Sequence, residues 1–300
     1  SAASDVYKRQ NVILDLNAHT INRGLTEETA VADGNVVYVN GGKFELDETS
    51  GEVPCGGITG GADIGDGVGG GVYVNNGGTF TLTNGEILSN YALDLGGGVY
   101  VNSGTFIMNG GLLYNNKSVY GGGLCLDWAG SFIMNGGEIG SNSAKGQGGG
   151  VYVCAFESTV EFIMNGGWIC NNTSQDSGGG VHFQGEEGDT AKNIFTMNGG
   201  EISGNSAQKG GGGVSLRHST FIMSDGEIKN NTATASDGGG LFVGDGADVN
   251  VNGGIISDNT ASGNGGGVYN DGGRFSFEGG IISRNIGTYG GGIYELSLIH

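Results

Sequence analysis

Residues Gly96–Asn116 read GGGVYVNSGTFIMNGGLLYNN, and Gly265–Asn285 read GGGVYNDGGRFSFEGGIISRN. Each stretch holds three short apolar runs separated by glycine or asparagine turns, the pattern of strands rather than helices. The Gly-Gly-Gly triplet that opens them begins at Gly69, Gly96, Gly121, Gly148, Gly178, Gly211, Gly238, Gly265 and Gly290. Successive intervals are 27, 25, 27, 30, 33, 27, 27 and 25 residues. A period near 27 lies within the range that signals stacked repeats.

Alternation within the runs assigns their faces. In Val99-Tyr100-Val101 the valines share one face and the tyrosine takes the other. In the second run Phe106 and Met108 go together, as do Phe132/Met134, Phe162/Met164, Phe195/Met197, Phe221/Met223, Val249/Val251 and Phe275/Phe277. The third run directs Ile139, Ile169, Ile202, Ile228, Ile256 and Ile282 inward. No helical period is evident. Three strands per ~27-residue turn describe a coil in which each strand pairs with its equivalent one coil on, ~4.8 Å away. The expected fold is therefore all-β: a single parallel β-helix (β-solenoid) of about ten coils, right-handed like other parallel crossovers, and roughly 50 Å long.

Composition narrows the alternatives. Glycine supplies 68 of 300 residues, about 23% against a typical ~7%. Collagen is excluded by the single proline, Pro54, and by the lack of a glycine-every-third period. No apolar run approaches 18 residues, so this segment inserts no membrane-spanning helix. With 12 basic against 31 acidic residues the charge is −19, which argues against nucleic acid as a partner.

The glycine triplets oppose folding by ~0.5–1 kcal/mol per residue relative to alanine, so their recurrence marks corners where φ is positive or a Cβ has no room. Asparagines recur at Asn109, Asn135, Asn165 and Asn198, and again at Asn90, Asn116, Asn142, Asn205, Asn231, Asn259 and Asn285. Stacked once per coil, their amides form hydrogen-bonded ladders. Toward the amino terminus, Val37-Tyr38-Val39, Phe44/Leu46 and Gly56-Gly57-Ile58 match the three runs, with Asp47–Cys55 inserted. Asn11–Ile21 reads as one further coil.

Ser1–Gln10 (SAASDVYKRQ) and Leu296–His300 (LSLIH) resemble translated transposase adapters from sequencing libraries. Residues 1–10 and 296–300 are accordingly set apart from a solenoid spanning 11–295, and the natural chain is expected to continue beyond both. Setting aside two basic residues and one acidic residue moves the charge from −19 to −20.

The paired GGG[V/L] and F-x-x-N elements resemble the glycine-rich β-helix repeats of bacterial surface and autotransporter-type proteins. They are also similar to the GGA[I/L/V] and F-x-x-N repeats of chlamydial polymorphic outer-membrane proteins. Phe106–Asn109, Phe132–Asn135, Phe162–Asn165 and Phe195–Asn198 match F-x-x-N, while a third glycine stands where that family has alanine. Over Val37–Glu295 the resemblance implies an adhesin-like stalk, secreted or displayed on a bacterial cell surface.

Loop length points to the binding region. The 30- and 33-residue repeats gain residues after the first strand, at Cys154–Glu161 and Gln184–Ile194, and Trp128 occupies that corner one coil earlier. Long loops on a rigid rod are where binding surfaces arise. Trp128, Phe156, Glu157, Gln184, Glu186, Glu187 and Asp189 are therefore expected to form an acidic, aromatic patch for a glycan or host surface protein. Two outward columns are apolar: one from Tyr38 through Tyr73, Tyr100, Cys125, Tyr152, His182, Ser215, Phe242 and Tyr269 to Tyr294, the other Ile107, Ile133, Ile163 and Ile222. Ladder stacking explains both, and a flat binding platform is the alternative.

Enzymatic and metal signals are weak. Glu86, Glu138, Glu201 and Glu227 share an outward position, interrupted by Leu112 and Trp168. Glu201 and Glu227, ~5 Å apart on consecutive coils, approach the spacing of a retaining glycosidase. A column of solvated carboxylates explains the same recurrence, and His182 and His218 lie on different runs. Asp63–Asp66 and Asp245–Asp248 are acidic turns without a calcium-loop pattern. Cys55, Cys125, Cys154 and Cys170 form no C-x-x-C pair, and Cys125 and Cys154 fall two residues out of register. The reading is a non-enzymatic protein with no cofactor and no metal, the alternatives being a polysaccharide-active enzyme or a self-assembling spacer. Unpaired strand edges at the ends lead to an expectation of end-to-end association.

Overall fold

The computed structural model describes residues 11–51, 55–154, 158–188 and 193–296. The chain winds as a parallel β-solenoid of about ten coils whose strands stack into three ten-stranded sheets and one eight-stranded sheet. The first sheet runs from Val37–Asn40 through Val99–Asn102 to Ile293–Glu295. The second runs from Asn11–Asp15 through Thr105–Met108 to Arg274–Phe277, and the third from Thr20–Asn22 through Leu112–Tyr114 to Ile281–Ser283. Three runs per coil are thus present as read. The fourth sheet adds strands of two residues, from Ala62–Asp63 to Thr260–Ala261. Two residues are too few to display alternation; the signal that alternation passes over is the recurrence of a small pair after the ladder asparagine, as in Ser143–Ala144, Ser206–Ala207, Thr232–Ala233 and Thr260–Ala261. The amino-terminal coil is also present: Asn11–Asp15 pairs with Lys43–Asp47, and Thr20–Asn22 with Gly57–Thr59.

Register follows the hydrophobic columns. Phe106 aligns with Phe80 and Phe132, and Met108 with Met134. Phe80, Phe106, Phe132, Phe162, Phe195 and Phe221 stack in sequence with centroids 4.4–5.1 Å apart, all six fully buried. Val99, Val101 and Leu113 complete that coil's share of one continuous core. Each such side chain contributes ~1.5–3 kcal/mol, so the coil's buried set together outweighs its glycine triplet, which costs about as much as one of them contributes. The column opens at its two described ends, at Val12 (47% exposed) and half-buried Phe44 in the first coils and at Phe275 and Phe277 in the last, Phe277 to 42%.

The Gly121–Gly123 corner shows why three glycines recur. Gly121 takes φ of +64°, the left-handed region that costs glycine nothing. A Cβ on Gly122 would lie 2.5 Å from the Ser143 carbonyl oxygen, and one on Gly123 would lie 2.7 Å from that of Gly150. Conformation demands the first glycine, and the neighbouring coil demands the other two.

Opposite this corner runs the buried asparagine ladder. Asn116 Nδ2 donates to Asn142 Oδ1 at 3.1 Å, and the relation repeats from Asn90 to Asn285. Asn172 fills the coil that the sequence reading skipped. The residue ahead of each asparagine (Ser89, Asn115, Ser141, Asn171, Gly204, Asn230, Asp258, Arg284) takes φ of 54–64°, turning the chain into the ladder. A second, exposed ladder links Asn109, Asn135, Asn165 and Asn198 at 2.9–3.0 Å.

The tyrosine column corrects one expectation. Tyr73, Tyr100, Cys125 and Tyr152 are in register, but Tyr100 and Tyr152 are only 4% and 6% exposed and Cys125 is fully buried. Val68, Leu95 and Tyr120, each immediately before a glycine triplet, fold over the column and form a second small core with it. His182 and Ser215 are buried likewise. The column is a ladder, and its middle offers no platform. Toward its end Tyr269 stacks between Phe242 and Tyr294, at 5.5 and 5.4 Å.

Candidate binding corner

The turn after Leu124–Asp127 is closed by Trp128 and Ala129, with φ of +43° and +56°. Gly130 N–H donates to the Asp127 carbonyl at 3.0 Å, completing a two-residue hairpin-like corner. Such a turn needs positive φ at both central positions, and glycine or asparagine supplies it cheaply. Two coils earlier Asn76 and Gly77 do so, with φ of +53° and +72°. Tryptophan there costs of order 1–3 kcal/mol of backbone strain. Its backbone is held by Asp127 Oδ1, which accepts the Trp128 N–H at 2.8 Å, and by Ser103 Oγ, which donates to the Trp128 carbonyl at 2.8 Å. The indole itself is 54% exposed.

The neighbouring long loop reaches this turn. Ala129 N–H donates to Ser158 Oγ at 3.0 Å, so the residue with which the described chain resumes after Val151–Cys154 is bonded to the turn that carries Trp128. One coil on, Gln184 aligns with Cys154 and is half-buried, its Nε2 donating to the Gly185 carbonyl at 2.8 Å. Glu186 and Glu187 are exposed. Phe156, Glu157 and Asp189 lie outside the described residues.

Electrostatics make the corner acidic. Burial raises the Asp127 carboxyl above its ordinary range, partly offset by the hydrogen bonds from Tyr100 and the Trp128 N–H. Burial also raises the Cys154 thiol; the hydrogen bond with Tyr152 opposes this, while the charges of Asp127 and Glu186 add to it. A thiol so placed is a poor nucleophile. The corner combines an exposed indole, fixed backbone and negative charge, which suits reversible binding of a polar ring or a cationic group.

The other candidates resolve into structure. Glu201 and Glu227 are in register, but Lys229 bridges them at 2.9 and 2.5 Å. Burial tends to raise the Glu201 carboxyl, yet hydrogen bonds from Ser203 and Lys229 bring it below the ordinary range, the wrong direction for a general acid. Asp63 is 2% exposed, and its two oxygens accept from the N–H groups of Gly34, Gly65 and Gly67 and from Asn35 Nδ2 at 2.9–3.3 Å. That carboxylate anchors a turn. Among the described residues no three His, Cys, Asp or Glu side chains gather as a metal site. Cys125 aligns with Tyr152 rather than with Cys154, as the spacing requires.

Trp168, Tyr114 and Tyr289 are exposed aromatics that escape the sequence reading as candidates. Trp168, 53% exposed, stands on the third sheet between Glu138 and Glu201. Its signal is an aromatic residue flanked by glutamates at the same position of the coils before and after it. Among the described residues no helix is long and apolar enough to cross a membrane. No protein-family model matches the chain, and no curated protein or solved structure matches it either.

Proposed function

We propose that this chain is a non-enzymatic, adhesin-like stalk, secreted or displayed on a bacterial cell surface, that binds a glycan or host surface protein at the Trp128 corner. The observation that carries the reading is Trp128 itself, an exposed indole in a left-handed turn whose counterpart two coils earlier is Asn76-Gly77. A strained residue kept at an exposed corner points to a use outside the fold. The rigid stack of about ten coils is suited to holding such a corner away from its base. The glycine-rich and F-x-x-N repeats, similar to those of bacterial surface proteins, support the same location. Retention on mucin and on plant and bacterial polysaccharides, compared with a Trp128→Ala variant, tests it. Loss of retention in the variant supports the reading, and equal retention by both proteins refutes the site.

End-to-end self-association is a second reading with its own observation. The last coil leaves Phe277, Ile281 and Ile293 40–56% exposed beside strand edges that no described strand pairs. Such edges template further strands. Sedimentation across a concentration series tests this: growth of the species with concentration supports it, and a constant monomer refutes it.

A further inference from the structure

Between Thr20–Asn22 and Val37–Asn40 the chain takes fourteen residues, where the coil of Leu112–Tyr114 and Leu124–Asp127 takes nine. The extra length forms a side segment with a single 3-10 turn at Glu27–Thr29, the only helical turn among the described residues. It is fixed at its start by Arg23 N–H and Leu25 N–H, which donate to the carbonyls of Thr59 and Gly60 at 3.1 and 2.8 Å. It is fixed lengthwise by Glu27, whose Oε1 pairs with Lys145 Nζ at 3.0 Å across several coils. Beside it lies an open surface recess of about 170 Å³, lined among others by buried Tyr91 and by the exposed residues Thr26, Glu27, Ser89, Asn115 and Lys117. That is the space of one small polar ring, since drug-sized pockets run ~300–1,000 Å³.

The lining is selective. Asn115 Nδ2 donates to Ser89 Oγ at 3.2 Å, which leaves Asn115 Oδ1 to accept and the Ser89 hydroxyl proton to be given. Thr26 lines it as well, its hydroxyl 3.1 Å from Thr29 Oγ1. The charge of Glu27 is answered by Lys145, whereas Lys117 makes no ion pair among the described residues. In a chain with 12 basic residues and a net charge of −19, a lysine without an ion pair at a polar surface recess is a local exception to a repulsive field.

We propose that this recess binds a single carboxylate-bearing sugar residue, its carboxylate on Lys117 Nζ and its hydroxyls on Ser89, Asn115 and Thr26. Hydroxyl and amide groups match the ring, and the ammonium supplies the charge-assisted bond that separates an acidic sugar from a neutral one. The site lies beside the fourth sheet, away from the Trp128 corner, and stands or falls independently of it.

The test is calorimetric titration of the full chain with glucuronic acid, glucose, acetate and inorganic phosphate, repeated on Lys117→Gln. Lys209→Gln, which removes an exposed lysine paired with Asp176 elsewhere, is the control. Glucuronic acid is expected to saturate and to bind about tenfold more tightly than glucose, an advantage that Lys117→Gln abolishes and Lys209→Gln leaves intact. Unchanged melting of Lys117→Gln shows that the loss belongs to the site. Equal binding of glucose and glucuronic acid overturns the role of Lys117. Acetate or phosphate binding as tightly as glucuronic acid reduces the recess to a bare anion site and overturns the sugar. No saturation by ~10 mM glucuronic acid overturns the site altogether.

Discussion

The side-chain amide of Asn142 fills the space that a Cβ on Gly123 would need: that carbon would lie 2.9 Å from Asn142 Nδ2. The two most repetitive features of the sequence, glycine triplet and asparagine, are therefore one corner packed against another. Asn142 Oδ1 accepts both the backbone N–H and the Nδ2 of Asn116, at 2.9 and 3.1 Å, while its own Nδ2 donates to the Leu113 carbonyl at 2.8 Å. Removing it strands several buried polar groups at once. Asn142→Ala should destabilise the solenoid by about 2–4 kcal/mol, more than a single hydrogen bond is worth, because unsatisfied buried groups cost ~1–3 kcal/mol each. Chemical denaturation checks this, with exposed Asn135→Ala expected to cost less than about 1 kcal/mol.

The phenylalanine stack offers a second test. Phe132 lies between Phe106 and Phe162 at 5.0 and 4.7 Å, and all three are fully buried. Phe132→Ala should cost about 3–5 kcal/mol in the same denaturation experiment. Phe275→Ala, at the half-exposed end of the column, should cost markedly less.

Stability should also depend on pH through His182, which is fully buried and stacked on Tyr152 at 5.7 Å. Burial lowers its pKa to about 4, partly opposed by Gln184 and Asp176. The fold thus favours the neutral ring, and on acidification the unfolded chain takes up the proton first. The contribution is complete above pH 6.5 and declines by about 3 kcal/mol as pH falls toward 4. Replacing the ring by His182→Phe should flatten that part of the wild-type profile. Equal slopes in the two proteins between pH 6.5 and 4 would show that another group is responsible.

Strain at Trp128 leads to a prediction of opposite sign for stability and binding. Trp128→Asn places a residue tolerant of positive φ in the turn and should raise stability by about 1 kcal/mol while weakening retention on ligand. Thermal melting together with the retention assay reads both effects.

The core was legible in the sequence because burial alternates in step with the pleat: Phe106 and Met108 point inward in every coil that repeats them. The glycine triplets were legible as a steric demand. The fate of Tyr100 was not, because the position ahead of the glycine triplet is apolar in only a few coils, as at Leu95 and Tyr120, and polar or glycine in those that follow, such as Gln147, Ser177 and Gly210. Nor could alternation show the left-handed backbone of Trp128, since Asp127-Trp128-Ala129-Gly130 carries no Asn-Gly signature and its geometry is imposed by the coils around it. The candidate corner was found by loop length alone. The side segment beside Lys117 was missed because its residues repeat nothing.

The central claim is that ligand meets Trp128, and the chain's two tryptophans allow it to be asked directly. In a Trp168→Phe background Trp128 is the sole tryptophan, and its emission can be followed while a mucin or polysaccharide retained by the wild type is titrated in. A saturable blue shift, at the concentrations that give retention, is the result this account predicts. Retention accompanied by unchanged Trp128 emission would contradict it.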